Sequence, residues 1–448
     1  MDSRDPSPPG GPTSRAPGRR DRAVPGSVAA DVVQRLRAGF ASGDPDLVIP
    51  VLASIAVVMG ILWRFVALSY PPTFTFDEYH FVENARNYLN GTADWNDHPP
   101  LGKLLMLPGM MLFGDNGVGW RIHEAVLGTA HIALLAAVAT GIFSSRRAGW
   151  LAAAFVALDG LFVAYSRTAL LDIPMNAFMM ASLALMLHGR RLGWFAAAGA
   201  ALGLAVAVKW TAVCLALVVP LLLWRKGRSI FHALWIGLVA LAVYGAVVAL
   251  ALVMTHQPVS LSGIVTSSRD LLKHHAGFTD WQNPADSRWY TWFYLWKPIT
   301  LFRARLPDGM TRVMSCVGNP LLWYLTSFTF VIATAVVLRD GWRRLRAQVP
   351  ISAFVRQEAL VLITAAALIV QWTITNRESY IWHYMGTYSL GLVLLAGVVD
   401  RETLTRPRAA GALLLVLMAV SVFYSPVWTN GLLSNTAASW RLFLPRWR

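Results

Sequence analysis

A chain of 448 residues that is 56% hydrophobic and only 14% charged, with a mean hydropathy of +0.49, carries more apolar surface than one water-soluble core can bury. That excludes a soluble globular enzyme and identifies a polytopic membrane protein. The net charge of +15 does not imply nucleic acid as a partner, because the cations sit in short clusters between apolar runs, where they report topology.

Residues 1–45 mix Pro, Gly, Ser, Arg and Asp without apolar periodicity, which predicts a disordered cytoplasmic tail. The remainder, 46–448, reads as one transmembrane domain. Its first apolar run, 47–68, is too long for a signal-peptide core and lacks a small-residue cleavage site, so it is expected to be a retained signal anchor leading outward. Further runs near 119–143, 148–165, 169–187, 192–208, 210–224, 230–254, 319–338, 357–374, 384–399 and 409–427 give an all-α protein of about 11 transmembrane helices.

The distribution of cations tests this count. The connections expected to be cytoplasmic, 145–148, 188–193, 224–228, 339–346 and 400–408, are short and basic, whereas the outer ones are poorer in Lys and Arg. The long outer loop 256–317 belongs to a length class outside that rule. Cys214 and Cys316 have no metal-ligand spacing, and no disulfide is expected.

Topology then places the polar motifs. The first outer loop, 70–118, holds Asp77, Glu78 and the run His98-Pro99-Pro100-Leu101-Gly102-Lys103; Arg167 and Asp172 flank the next outer junction; Lys209-Trp210 marks a third; Arg377, Glu378, His383 and Tyr384 mark a fourth. All four groups are expected on one membrane face. Each has a plainer reading: Asp172 before Pro174 as a helix cap, Lys209 as a snorkelling lysine, Arg167 against lipid phosphate, Tyr384 in packing, and His80 and His123 as structural residues. Adjacent carboxylates gain nothing from a bilayer, which favours function for Asp77 and Glu78. The two prolines stiffen the 98–103 run, and Gly102 permits a tight turn beside the Lys103 cation.

Carboxylates and cations on one face suit transfer of a sugar from a lipid-linked phosphate. The departing phosphate needs charge stabilisation, which Lys209, Arg167, Arg377 or a protonated His383 would supply. The attacking hydroxyl needs one base, and a single base without a paired acid implies single displacement with inversion.

The stretches FTFDEYHFVENARNY and NDHPPLGK resemble the first outer loop of the protein O-mannosyltransferases, and YSRTALLDIPMNAF, GLAVAVKWTA and NRESYIWHYMGTYSL are similar to later segments of that family in the same order. The resemblance covers about 47–448. It implies a GT-C-type glycosyltransferase that moves mannose from a polyprenyl-phosphate carrier to Ser or Thr hydroxyls of secreted proteins, with Asp77 as base and Glu78 supporting the acceptor site. Arg167, Lys209, Arg377 and His383 would serve the donor phosphate. A loop of about 60 residues at 256–317, without an inserted β-trefoil, and an Arg- and Ala-rich composition resemble the bacterial, actinobacterial-type form. His275 and Ser287 lie in a loop segment only loosely similar to the family pattern. Membrane lipids and the protein export machinery would be neighbours.

Two other classes compete. A related GT-C enzyme would glycosylate a lipid or cell-wall glycan, against which the Asp77-Glu78 and HPPLGK combination argues. A transporter would show repeated halves and ionisable residues at mid-span, whereas Arg64 and Asp159 fall in the outer halves of their runs. Asp77, Glu78 and His98 could ligate a hard cation, but a single Asp-Glu pair is a thin oxygen set and the resemblance implies no cofactor or metal.

Overall fold

Why helices break or bend where they do decides how the polar residues meet. The computed structural model of the chain describes residues 34, 37–39, 41–93, 97–276, 283, 285–347, 350, 352–375 and 377–447. Most of the expected tail 1–45 thus lies outside the described residues, and the part that is described, 34, 37–39 and 41–45, is mostly helical rather than unstructured. The chain order is α1 (Pro45–Phe65), α2 (Glu78–Leu89), α3 (Leu101–Leu104), α4 (Leu107–Phe113), α5 (Gly117–Phe143), α6 (Arg146–Ala157), α7 (Gly160–Tyr165), α8 (Asp172–His188) and α9 (Leu192–Val208). A 3-10 segment (Trp210–Val218) then runs into α10 (Val219–Arg225), followed by α11 (Ile230–Met254), α12 (Leu261–Ala276), α13 (Trp289–Trp292), β1 (Thr300–Arg305) and β2 (Met310–Ser315). The chain continues as α14 (Pro320–Ala347), α15 (Ala353–Ile374), a 3-10 turn (Ile381–Tyr384), α16 (Met385–Glu402), α17 (Pro407–Trp428), β3 (Leu432–Ser434) and α18 (Asn435–Arg441).

All of the expected apolar runs are helical. Among the described residues 7 helices are long and apolar enough to cross a bilayer: α1, α5, α11, α14, α15, the run formed by the 381–384 turn with α16, and α17. The others are shorter or interrupted. The expected run 148–165 is divided between α6 and α7 at Asp159, which caps α7 by accepting from the Leu161 amide (2.9 Å) and also from the Asn319 amide (3.1 Å) and the Tyr388 hydroxyl (2.9 Å). A buried acid with three donors is tolerated where an unpaired one would not be. Gly160 beside it admits the Trp428 indole, since a Cβ there would lie 2.0 Å from Nε1.

Helices α6, α7 and α16 form the centre: the window within 381–402 is 89% buried, against 28% for peripheral α11. A helix apolar all round belongs in such a position.

The reading as all-helical misses one feature, a small antiparallel sheet in the order β1-β2-β3. Its signal is present in the sequence, since Pro307-Asp308-Gly309 between two strand-like runs is turn chemistry, and Gly309 takes φ +76°. β3 pairs with β2 through Leu433 opposite Thr311. The Trp447 indole donates to the Leu295 carbonyl (2.8 Å), which fixes the segment after α13.

Candidate active site

A cavity of about 550 Å³ opens at the end of the bundle where the expected outer connections meet. Asp77, His98, Asp172, Lys209, Arg377 and His383 all line it, so residues far apart in sequence share one space. Lys209 follows the last turn of α9, Asp172 begins α8, and His383 lies in the 3-10 turn before α16.

The adjacent carboxylates have different surroundings. Glu78 is fully buried and accepts four hydrogen bonds: from Arg121 Nε (2.7 Å) and the Ala169 amide (2.7 Å) on Oε1, and from Arg121 Nη2 (2.8 Å) and the Thr75 amide (2.8 Å) on Oε2. An ionised carboxylate has about four acceptor positions, and all are occupied. Glu78 therefore ties the first loop, α5 and the 166–171 turn together and does not face the cavity. Asp77 precedes α2 but makes no capping bond, and it has no side-chain hydrogen bond or ion pair among the described residues. Phe76 before it takes φ +46°, an uncommon conformation for an aromatic residue, which costs free energy and is retained next to the cavity. Burial raises the Asp77 pKa above the ordinary carboxylate range; His80 and Lys209 oppose the shift, and the like charges of Asp97 and Asp172 add to it.

The cations are likewise sorted. Lys209 Nζ stands 3.0 Å from Asp172 Oδ1, both buried. Arg377 Nη1 donates to His275 Nδ1 (2.7 Å). That bond requires a neutral acceptor nitrogen, and burial followed by the Arg377 charge lowers the His275 pKa to about 4. His98, 5.4 Å from the His275 ring, is held well below its usual value by burial and then by Lys209. His383 stacks on Trp372 at 3.8 Å, and its Nδ1 accepts from the Tyr380 amide (3.0 Å). In the neutral ring Nε2 then carries the proton, making His383 an N–H donor at the cavity wall.

Other expected site residues lie elsewhere. Arg167 does not line the cavity: its Nη1 donates to the Trp63 (2.7 Å) and Val66 (2.8 Å) carbonyls and its Nη2 to that of Ala67 (3.0 Å), so it closes the end of α1. Lys103 is fully buried near Asp97 (3.7 Å), below the cavity residue His98. Pro99 and Pro100 are buried, and Pro100 starts α3 by accepting from the Lys103 and Leu104 amides. Gly102 lies in that helical turn and makes no tight turn of its own; a Cβ there would come 2.3 Å from Leu171 Cδ2, so its role is close approach to the 166–171 turn. Tyr384 is buried among Trp292, Phe293 and Trp323. Ser287 is buried too, joined to Ser379 by its amide (2.8 Å) and its carbonyl (2.9 Å).

Two family descriptions match this chain in succession. Dolichyl-phosphate-mannose-protein mannosyltransferase matches residues 54–256, and the C-terminal four-transmembrane region of protein-O-mannosyltransferase matches residues 260–441. The chain belongs to the protein O-mannosyltransferase family. It is 25% identical to the polyprenol-phosphate-mannose–protein mannosyltransferase of Mycolicibacterium smegmatis, across 89% of this chain and 92% of that one. The same identity and coverage hold for the enzyme of that name from Mycobacterium tuberculosis. The fold is similar to the S. cerevisiae protein O-mannosyltransferase Pmt1-Pmt2 complex bound to the sugar donor, with TM-score 0.74, 13% identity, and coverage of 89% of this chain and 92% of that chain. This is the GT-C fold.

In this member of the mannosyltransferase family two cavity residues, His80 and Tyr380, escape sequence reasoning, and Glu378, already placed at the fourth outer junction, finds its partners only in the fold. His80, expected to be structural, lines the cavity one helical turn from Asp77. Glu378 and Tyr380 also line it, with the Tyr380 hydroxyl donating to Glu378 and the Asn283 amide donating to the other Glu378 oxygen (2.7 Å). The i, i+3 spacing of Asp77 and His80 was the available signal for the first; the long-range contact to Asn283 has no local one.

Proposed function

We propose that the chain transfers mannose from a polyprenyl-phosphate-mannose donor to Ser or Thr hydroxyls of secreted or membrane proteins, by one inverting displacement at the extracytoplasmic face. The observation that carries this reading is Asp77, a cavity carboxylate unpaired among the described residues, with Lys209, Arg377 and His383 lining the same space. The acceptor oxygen forms a bond to the sugar's anomeric carbon as the bond from that carbon to the phosphate oxygen breaks. The hydroxyl proton passes to the Asp77 carboxylate, and the electron pair leaves on the phosphate. Lys209 and Arg377 offset its charge, and the His383 N–H donates to it. The positions of the short basic connections at the opposite end support a cytoplasmic side there and an extracytoplasmic cavity.

No divalent metal is invoked, because Glu78 has no acceptor position left with which to join Asp77 around a cation. Membranes containing the chain, labelled polyprenyl-phosphate mannose and a Ser/Thr-rich peptide test the reading. Wild-type transfer to peptide with loss in Asp77→Asn supports it; label entering only endogenous lipid or glycan would replace the acceptor.

A further inference from the structure

The end of the bundle opposite the cavity carries a second concentration of charge. Helices α8, α9 and α15, and the 3-10 segment continued by α10, each have one end near the cavity and the other at this end. There Arg190 from the α8–α9 turn and Arg225, Lys226 and Arg228 from the end of α10 converge. Lys226 Nζ closes the end of α8, donating to the Leu187 carbonyl and reaching that of Met186 (3.3 Å). Arg228 Nη2 donates to the Arg190 carbonyl (3.0 Å), while its guanidinium lies 5.6 Å from the Phe195 ring centroid. These anchored positions hold the cations together although like charges repel.

The repulsion is not offset by acids. Arg190, Arg225, Lys226 and Arg228 form no ion pair among the described residues. Arg225 is lowered by burial and then by Arg356, and Lys226 by burial and then by Arg228, Arg190 and Arg225. Elsewhere on this end the balance differs: Arg147 is paired with both Asp46 (3.0 Å) and Asp400 (2.7 Å). Around the unpaired cluster stand exposed Trp224 (77%), Phe231 (74%) and Trp194 (46%), residue types that settle at the headgroup level of a bilayer.

We propose that this cluster is a binding site for the phosphodiester headgroup of an anionic phospholipid. Guanidinium groups can give bidentate donors to phosphate oxygens, and the aromatic rim seats the glycerol and upper acyl region. A topological role for these cations requires only their charge and no shared ligand, so the two readings differ in a measurable way.

The test uses the full-length chain in neutral detergent, titrated with phosphatidylglycerol or phosphatidylcholine and read by native mass spectrometry. Retention of phosphatidylglycerol over phosphatidylcholine is expected, with affinity falling roughly fivefold per cation removed and roughly 25-fold in Arg225→Gln/Arg228→Gln. Arg343→Gln/Arg344→Gln, which removes as many cations from the same end of α14, should leave it unchanged. Equal loss in both double variants would reduce the site to a diffuse field and overturn the proposal. Equal retention of both lipids would do the same, as would competition by inorganic pyrophosphate with no preference for the lipid. A thermal scan of each variant in neutral detergent separates loss of the site from loss of the fold.

Discussion

The Lys209 ammonium sits 3.0 Å from the Asp172 carboxylate inside the cavity wall, so the cation proposed to meet the donor phosphate already has a counter-ion. A buried ammonium without one would be costly, and in the proposed reaction the anionic donor would compete with Asp172 for it. Lys209→Met should lower kcat/KM for the lipid donor by about 10- to 100-fold, the worth of a charged hydrogen bond. Steady-state kinetics with varied donor checks this, and an unchanged value would remove Lys209 from the donor site.

The pH profile should report Asp77. A base must be ionised to act, and burial raises the Asp77 pKa, so the acid limb of kcat/KM should lie above the ordinary carboxylate value of about 4. Asp172→Asn removes a like charge and leaves Lys209 uncompensated, both of which favour ionised Asp77, so the limb should move to lower pH. Lys209→Met removes an opposing charge and should move it higher. Movement of both variants in one direction would contradict the assignment.

Asp77→Asn should reduce transfer by about 10²- to 10⁴-fold, the usual contribution of a general base. It should also raise the thermal midpoint at neutral pH. The folded state holds the Asp77 proton more tightly than the unfolded chain, so stability falls as pH rises between the unfolded and folded pKa values. The gain from Asn should therefore vanish below about pH 4, where both states are protonated.

Glu78→Gln should act through the fold. Removing one member of the buried Glu78–Arg121 pair leaves the other charge uncompensated, at a cost of about 3–5 kcal/mol. Glu78→Gln and Arg121→Gln should be strongly non-additive in a double-mutant cycle of thermal stability. Additive losses would mean that the pair is not coupled.

Arg167→Lys offers a contrast with Lys209→Met. A lysine cannot reproduce a planar fork that reaches the Trp63, Val66 and Ala67 carbonyls. The expected result is a lowered thermal midpoint with donor KM nearly unchanged; a raised KM at unchanged stability would return Arg167 to the phosphate site.

What could be read from the sequence followed the physics of membranes. Hydropathy and the placement of cations put Asp77, Asp172, Lys209, Arg377 and His383 at one end of the bundle, because burying a charge in lipid is costly and topology is written in local composition. The division of labour between Asp77 and Glu78 was not legible, since it depends on Arg121 and the Ala169 amide, whose proximity is tertiary. The expectation for Arg167 met the same limit: an arginine for phosphate and an arginine for helix-end carbonyls look alike until the partner is known. The break at Asp159 was hidden by the uniform apolarity of its neighbours, which permits either a continuous or an interrupted helix.

The small sheet ties together segments that are far apart in sequence. Residues 300–315 supply two of its strands, but the third lies at 432–434, and Trp447 reaches back 152 positions to Leu295. Trp292, a few residues earlier, packs 6.2 Å from His383. The segment that packs beside His383 is thus held by chain more than a hundred positions further on, so a loosened sheet would be felt at the cavity through Trp292 although none of the described strands lines it.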